Sequence, residues 1–128
     1  MKILFGAIAL LSFFASKEGC HHKTAIKSDG VSFRGRLEVK GMCMNYTIAV
    51  LEGNIDTSLI ESKWTDENTG KIYSNVFALK SRCTFPQSIA QGDEFTFKID
   101  TAQKQNCAVC LAYYPTPSKH LSIKVLDK

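Results

Sequence analysis

The amino-acid sequence predicts an all-β fold: a small barrel of five to six strands with at most one short helix. Three observations carry that expectation. Val31, Phe33, Gly35, Leu37 and Val39 alternate without a slip against Ser32, Arg34, Arg36, Glu38 and Lys40, the period of a strand with one buried and one wet face. Phe95, Phe97 and Ile99 alternate in the same way with Glu94, Thr96, Lys98 and Asp100, and Leu121, Ile123 and Val125 with Ser122 and Lys124. Turn formers separate these runs, and the chain contains no repeat or low-complexity tract.

The first nineteen residues read as an export signal. Met1-Lys2 gives a positive start, and Ile3 to Ala15 is an apolar run, too short for the roughly twenty residues a membrane span needs and suited to a secretory core segment. Gly19-Cys20 has the form of the end of a bacterial lipobox, where the cysteine becomes the lipidated first residue. Lys17 and Glu18 stand where that motif has an aliphatic and a small residue. Residues 20–30 are polar and aperiodic and read as a tether, where the adjacent His21 and His22 are expected to bind a metal only weakly. The domain then runs over 31–128. Cleavage before Cys20 removes Lys2, Lys17 and Glu18 and leaves a net charge of about +3, a solubility balance and not a field that gathers nucleic acid.

Along the domain, Val31 to Lys40 is the first strand. Gly35 at its middle suits a strand that curls around a closed barrel. Tyr46 to Leu51 is a second strand, apolar on both faces and therefore central. Glu52-Gly53-Asn54 turns the chain, Ile55 to Trp64 is spaced for a helical turn or a covering loop, and Asp66 to Lys71 is dense in turn formers. Ile72 to Leu79 reads as a third strand, stopped by Phe85-Pro86. Gln87 to Gln91 suits one helical turn or a bend before the strand of Phe95 to Ile99. After the polar loop Thr101 to Asn106, Cys107 to Tyr114 is apolar and β-prone, Pro115-Thr116-Pro117 interrupts it, and Leu121 to Val125 closes the fold. Five strands with a curled first one suggest an OB-like barrel, with an immunoglobulin-like sandwich as the alternative.

The chain has five cysteines. If Cys20 takes lipid, Cys43, Cys83, Cys107 and Cys110 remain as an even set suited to an oxidising compartment. Four cysteines allow three pairings. Antiparallel second and third strands bring Cys43 near Cys83, and that bond would close a loop of about forty residues, worth about 4 kcal/mol on the chain-entropy model.

Gly41-Met42-Cys43-Met44-Asn45-Tyr46-Thr47, Gly92-Asp93-Glu94-Phe95, Asn106-Cys107-Ala108-Val109-Cys110 and Tyr113-Tyr114-Pro115, in that order, are similar to segments of small uncharacterised bacterial envelope lipoproteins with an OB-like β-domain. The resemblance covers about residues 31 to 126. It implies location and architecture and transfers no catalytic residue.

Chemistry-bearing patterns are sparse. Cys107-Ala108-Val109-Cys110 has the C-x-x-C spacing of redox and zinc sites, but Leu111-Ala112-Tyr113-Tyr114-Pro115 behind it favours extended chain over the helix N-terminus that activates a thiolate. Zinc on the four cysteines lacks a second close pair. His120 reads as a surface histidine, and Asp93 and Glu94 as acids of a turn. Tyr46, Trp64 and Tyr73, with the outward Arg34, Arg36 and Lys40, make a candidate ligand face; the simpler reading is that the aromatics cap the barrel and the charges solvate the first strand. Asn45-Tyr46-Thr47 is a glycosylation sequon with force only in a eukaryotic secretory route, and Tyr113 to Pro117 reads as a proline-protected edge.

The expectation is therefore a non-enzymatic envelope protein with no cofactor, lipid-anchored to the membrane or else secreted. It would be stapled by disulfides and bind an envelope protein or glycan, not nucleic acid. The alternative is a thiol-disulfide or metal-handling factor using Cys107 and Cys110.

Overall fold

A computed structural model describes residues Gly30 to Lys128. The export signal over 1–19 and the tether with Cys20, His21 and His22 lie outside the described residues. The strands are β1 (Phe33–Lys40), β2 (Tyr46–Glu52), β3 (Glu61–Thr65), β4 (Ile72–Leu79), β5 (Glu94–Ile99), β6 (His120–Leu121) and β7 (Ile123–Asp127). Short 3-10 turns stand at Met42–Met44, Thr57–Leu59 and Arg82–Thr84, and the described residues contain no α-helix.

The strands join in the order β3-β4-β2-β1-β5-β7, each pair antiparallel, while β6 lies parallel to β4. Only Ser122 separates β6 from β7. One closing strand therefore leans on β4 with its first part and on β5 with its second, which joins the two ends of the β4-β2-β1-β5 ribbon. The result is a single sheet closed on itself, with β5 returning beside β1 as in a Greek key, and it fits the OB-like plan of five barrel strands. β3 stands outside the circuit, paired with the first part of β4. At Val76 the edge of β4 is bound to Glu61 of β3, and from Ala78 onward it is bound to β6.

The alternation of β1 holds from Phe33 to Leu37; Val31 is exposed, and Val39, beyond a register shift, packs in a separate cluster instead of sharing the face of Leu37. Phe33 and Leu37 point into the barrel with Tyr46, Ile48, Val50, Phe77, Leu79, Phe95, Phe97, Leu121 and Ile123, and Ile55, Ile60, Phe85 and Ile89 pack in with them. β1 pairs on both edges and carries register shifts at Arg34/Gly35 and at Leu37/Val39, the extra residues by which a strand bends around a small barrel. Gly35 has a second reason to be glycine: a Cβ there would stand 2.9 Å from the edge of the Phe97 ring. A smaller cluster of Val39, Ala49, Tyr73 and Val76, joined by Trp64 and Tyr114, covers the outer face, which is why β2 is apolar on both sides.

The closing strand leaves a gap where it changes partners. Ser81 fills it: its buried hydroxyl accepts from the Ile123 N–H at 2.8 Å and donates to the Ile123 carbonyl at 2.9 Å, standing in for a missing ladder residue.

Two segments differ from their sequence reading. Ile55 to Trp64 is a 3-10 turn capped by Asp56, whose carboxylate accepts from the Ser58 N–H, followed by β3. Because β3 lies outside the barrel it is only partly covered, so it shows no clean alternation. Cys107 to Tyr114 is not a strand: the chain from residue 101 to 119 is irregular, and its apolar residues answer to cross-links and not to a ladder.

Ser81→Ala should lower unfolding stability by about 1–3 kcal/mol, the cost of orphaning a buried N–H and C=O together. Urea denaturation of the oxidised protein measures this.

Candidate binding surface

β1 ends, β2 begins and β4 ends at the same end of the barrel, since Lys40 pairs with Tyr46 and Thr47 with Ala78. The turns holding Cys43 and Cys83 therefore share that end, as the antiparallel pairing required. The bonds are nevertheless Cys43–Cys110, with Cα atoms 5.2 Å apart, and Cys83–Cys107, 5.4 Å apart. The expected Cys43–Cys83 bond is corrected, because the 101–119 segment reaches this end and supplies one cysteine to each turn. Cys43 and Met44 both sit at φ 57, the left-handed region that ordinary residues seldom adopt.

Asn45 ties the same elements together. Only 8 % exposed, its amide donates to the Met42 and Ala112 carbonyls and its carbonyl accepts from Arg82 at 2.9 Å. Gln105 accepts the Cys83 N–H, and Tyr114 lies so close over Gly41 that a Cβ there would fall 2.5 Å from its ring. Met42, Leu111 and Tyr113 remain exposed on this end, Leu111 almost wholly.

The residues expected to make a ligand face are brought together only in part: Trp64 meets Tyr73, and Arg36 and Tyr73 line one recess, while Tyr46 is turned inward. Tyr46 is 4 % exposed and points into the core, edge-on to Phe85. Its hydroxyl titrates above the ordinary tyrosine range through burial. Trp64 stacks on Tyr73 at 5.9 Å, and the Lys71 ammonium stands 4.7 Å over the Tyr73 ring, so the tyrosine ring is occupied by its own neighbours. Arg34 pairs with Glu94 and Glu52, and Arg36 with Glu94 and Glu38. The two guanidiniums thus solvate β1 and anchor the start of β5.

Acidic and histidine side chains likewise have local roles. Asp93 accepts from the Ala90 N–H and from Lys128 at 2.7 Å, and hydrogen bonding to Lys128 holds its carboxyl below the usual range. His120 is exposed and its Nδ1 meets the Ser118 carbonyl. Asp66 is buried in the β3–β4 turn, where it accepts from Asn68 and Thr69. No group of three or more His, Cys, Asp or Glu suited to a metal ion occurs among the described residues.

Among the concavities of the surface, two adjoin each other between β2 and β4. Pairing of these strands ends at Ala49 with Val76. Beyond it are two cavities of about 260 and about 410 Å³ that share Val50, Leu51 and Asn75. Ile55 and Ile60 line the smaller from the core side, and Arg36, Lys71 and Tyr73 line the larger from the outer side. Sequence reasoning passed over Leu51, Lys71, Ile72 and Asn75. The available signal was Asn75, a poor strand former in mid-strand, found at φ 54.

The chain matches no protein-family model, no curated protein and no solved structure.

Replacing both partners of Cys43–Cys110 by serine should cost about 4 kcal/mol, and replacing Cys83–Cys107 about 3.5 kcal/mol, from loops of 67 and 24 residues on the chain-entropy model. Denaturant midpoints of the two double variants against the parent check the order. Hydrogen bonds from Arg34 and then Arg36 hold the Glu94 carboxyl below its usual range. Its stabilising contribution is therefore present at neutral pH and lost as pH falls through that lowered value. Carbon-13 NMR titration should show Glu94 protonating later than an ordinary glutamate, with the displacement shrinking in high salt.

Proposed function

We propose that this chain is a non-enzymatic module of the bacterial cell envelope, exported, anchored through lipid on Cys20, and rigidified by disulfides so that it can bind an envelope protein or glycan or support a larger assembly. One observation carries the reading. Four of the five cysteines are consumed in two cross-links, leaving Cys20 as the odd one, and cross-links of this kind belong to oxidising compartments. The apolar run before Cys20 and the Gly19-Cys20 pair supply an export route and a use for that cysteine.

The C-x-x-C adds support from its partners. Cys107 and Cys110 are bonded to different turns, so they are not the two halves of one redox couple. Reducing either bond frees a segment of chain instead of toggling a local dithiol. The carboxylates at Asp93 and Glu94 and the imidazole of His120 are taken up by turn and strand contacts, which fits a scaffold better than a general acid and base.

Intact mass of the protein isolated from native membranes tests the proposal. The expected product begins at an acylated Cys20 and carries two disulfides; an unacylated product with four free thiols would overturn it.

A further inference from the structure

β2 and β4 separate at a defined point. Val50 to Glu52 pair only with β1, and Ile72 to Asn75 have no ladder partner except β3. Two strand edges thus face each other across a fork, each offering backbone N–H and C=O groups that no other strand uses. The separation is built in. Asn75, at φ 54, breaks the alternation of β4, so that Tyr73 and Val76, three residues apart, both join the outer cluster. The β3–β4 hairpin is then held in its direction by the Trp64–Tyr73 stack, by Lys71 over Tyr73 and by the Asp66 turn.

We propose that this fork is a strand-addition site for an extended peptide of a partner protein, one that alternates apolar residues with acidic ones. The free edges choose a polypeptide, because a backbone is the ligand that presents donors and acceptors at strand spacing. The flanking cavities choose its side chains. An added strand sends successive residues to opposite faces, here toward the uncharged recess of Val50, Ile55 and Ile60 and toward the recess holding Lys71. Arg36 on that second side is already paired with Glu94 and with Glu38, which lines the same recess, whereas Lys71 has no carboxylate partner among the described residues. Leu51, 37 % exposed, and Ile72, 58 % exposed, give the mouth an apolar rim. The inference rests on reading the chain as a binding module and does not need the lipid anchor.

The test uses the full oxidised chain, nitrogen-15 labelled in detergent, and a blocked heptapeptide alternating valine and glutamate. Binding should shift and protect the amides of Val50 to Glu52 or Ile72 to Asn75. Two further peptides carry N-methyl groups on alternate residues, in opposite phases. At least one phase must weaken binding by about tenfold or more, because an edge bond is lost wherever a methyl replaces an inward N–H. A valine-lysine peptide should bind about fivefold or more weakly than the valine-glutamate one. The proposal is overturned if these amides do not respond, if both methylated peptides bind like the parent, or if the lysine peptide binds as well. It is also overturned if the same amides become protected by self-association without peptide, which would assign the fork to a second copy. An acylated, doubly cross-linked chain that ignores the peptide would overturn strand addition and leave the envelope reading intact.

Discussion

The fold depends on where the last strand divides its hydrogen bonds. Without β6 on β4 and β7 on β5, the ribbon β4-β2-β1-β5 would be an open sheet with two long edges and an uncovered core face. The division is possible because Ser122 lets the strand change partners and Ser81 repairs the break on the inside. Closing the barrel covers the inner face of the sheet and buries residues such as Phe77, Phe97 and Leu37 completely. The seam joins β4 to β5 through β6 and β7, so the barrel closes only when this last strand is in place.

The two ends of the barrel are treated differently. At the end where β1 passes into β2, two disulfides, Asn45 and Tyr114 lock a long irregular segment over the sheet. Irregular chain has few ladder bonds of its own, and covalent links replace the ladder it lacks. At the other end β2 and β4 diverge with no cross-link between them. The outer cluster of Val39, Ala49, Tyr73 and Val76 lies between these regions and keeps the hairpin attached while its edge stays open.

Much of the fold was legible because strands that face a core on one side write an alternating pattern. β1, β5 and the closing strand did so. The second strand was recognised as central, but two apolar faces could not reveal which turned inward, and Tyr46 went to the core and not to a ligand surface. β3 was missed because a strand outside the barrel needs no alternation. The fates of Cys107 and Cys110 were hidden for a different reason. Spacing shows which cysteines are close in sequence, while their partners were fixed by where an unpatterned segment crosses the barrel end. The charges of Arg34 and Arg36 were correctly read as outward, yet their neutralisation by Glu94 depends on β5 lying beside β1, a tertiary fact. The fork was written only in Asn75, one weak residue in an otherwise good strand.

The buried amide of Asn45 bears on how this protein can be made. Its nitrogen has both hydrogens committed, to Met42 and to Ala112, and it sits within an Asn-Tyr-Thr acceptor sequence. A eukaryotic secretion host attaches sugar to such sequences as the chain emerges, before any barrel exists to hide them. A glycan there would occupy the space in which two disulfide-bearing turns must meet. Production through a bacterial periplasm avoids that competition between a modifying enzyme and a folding event.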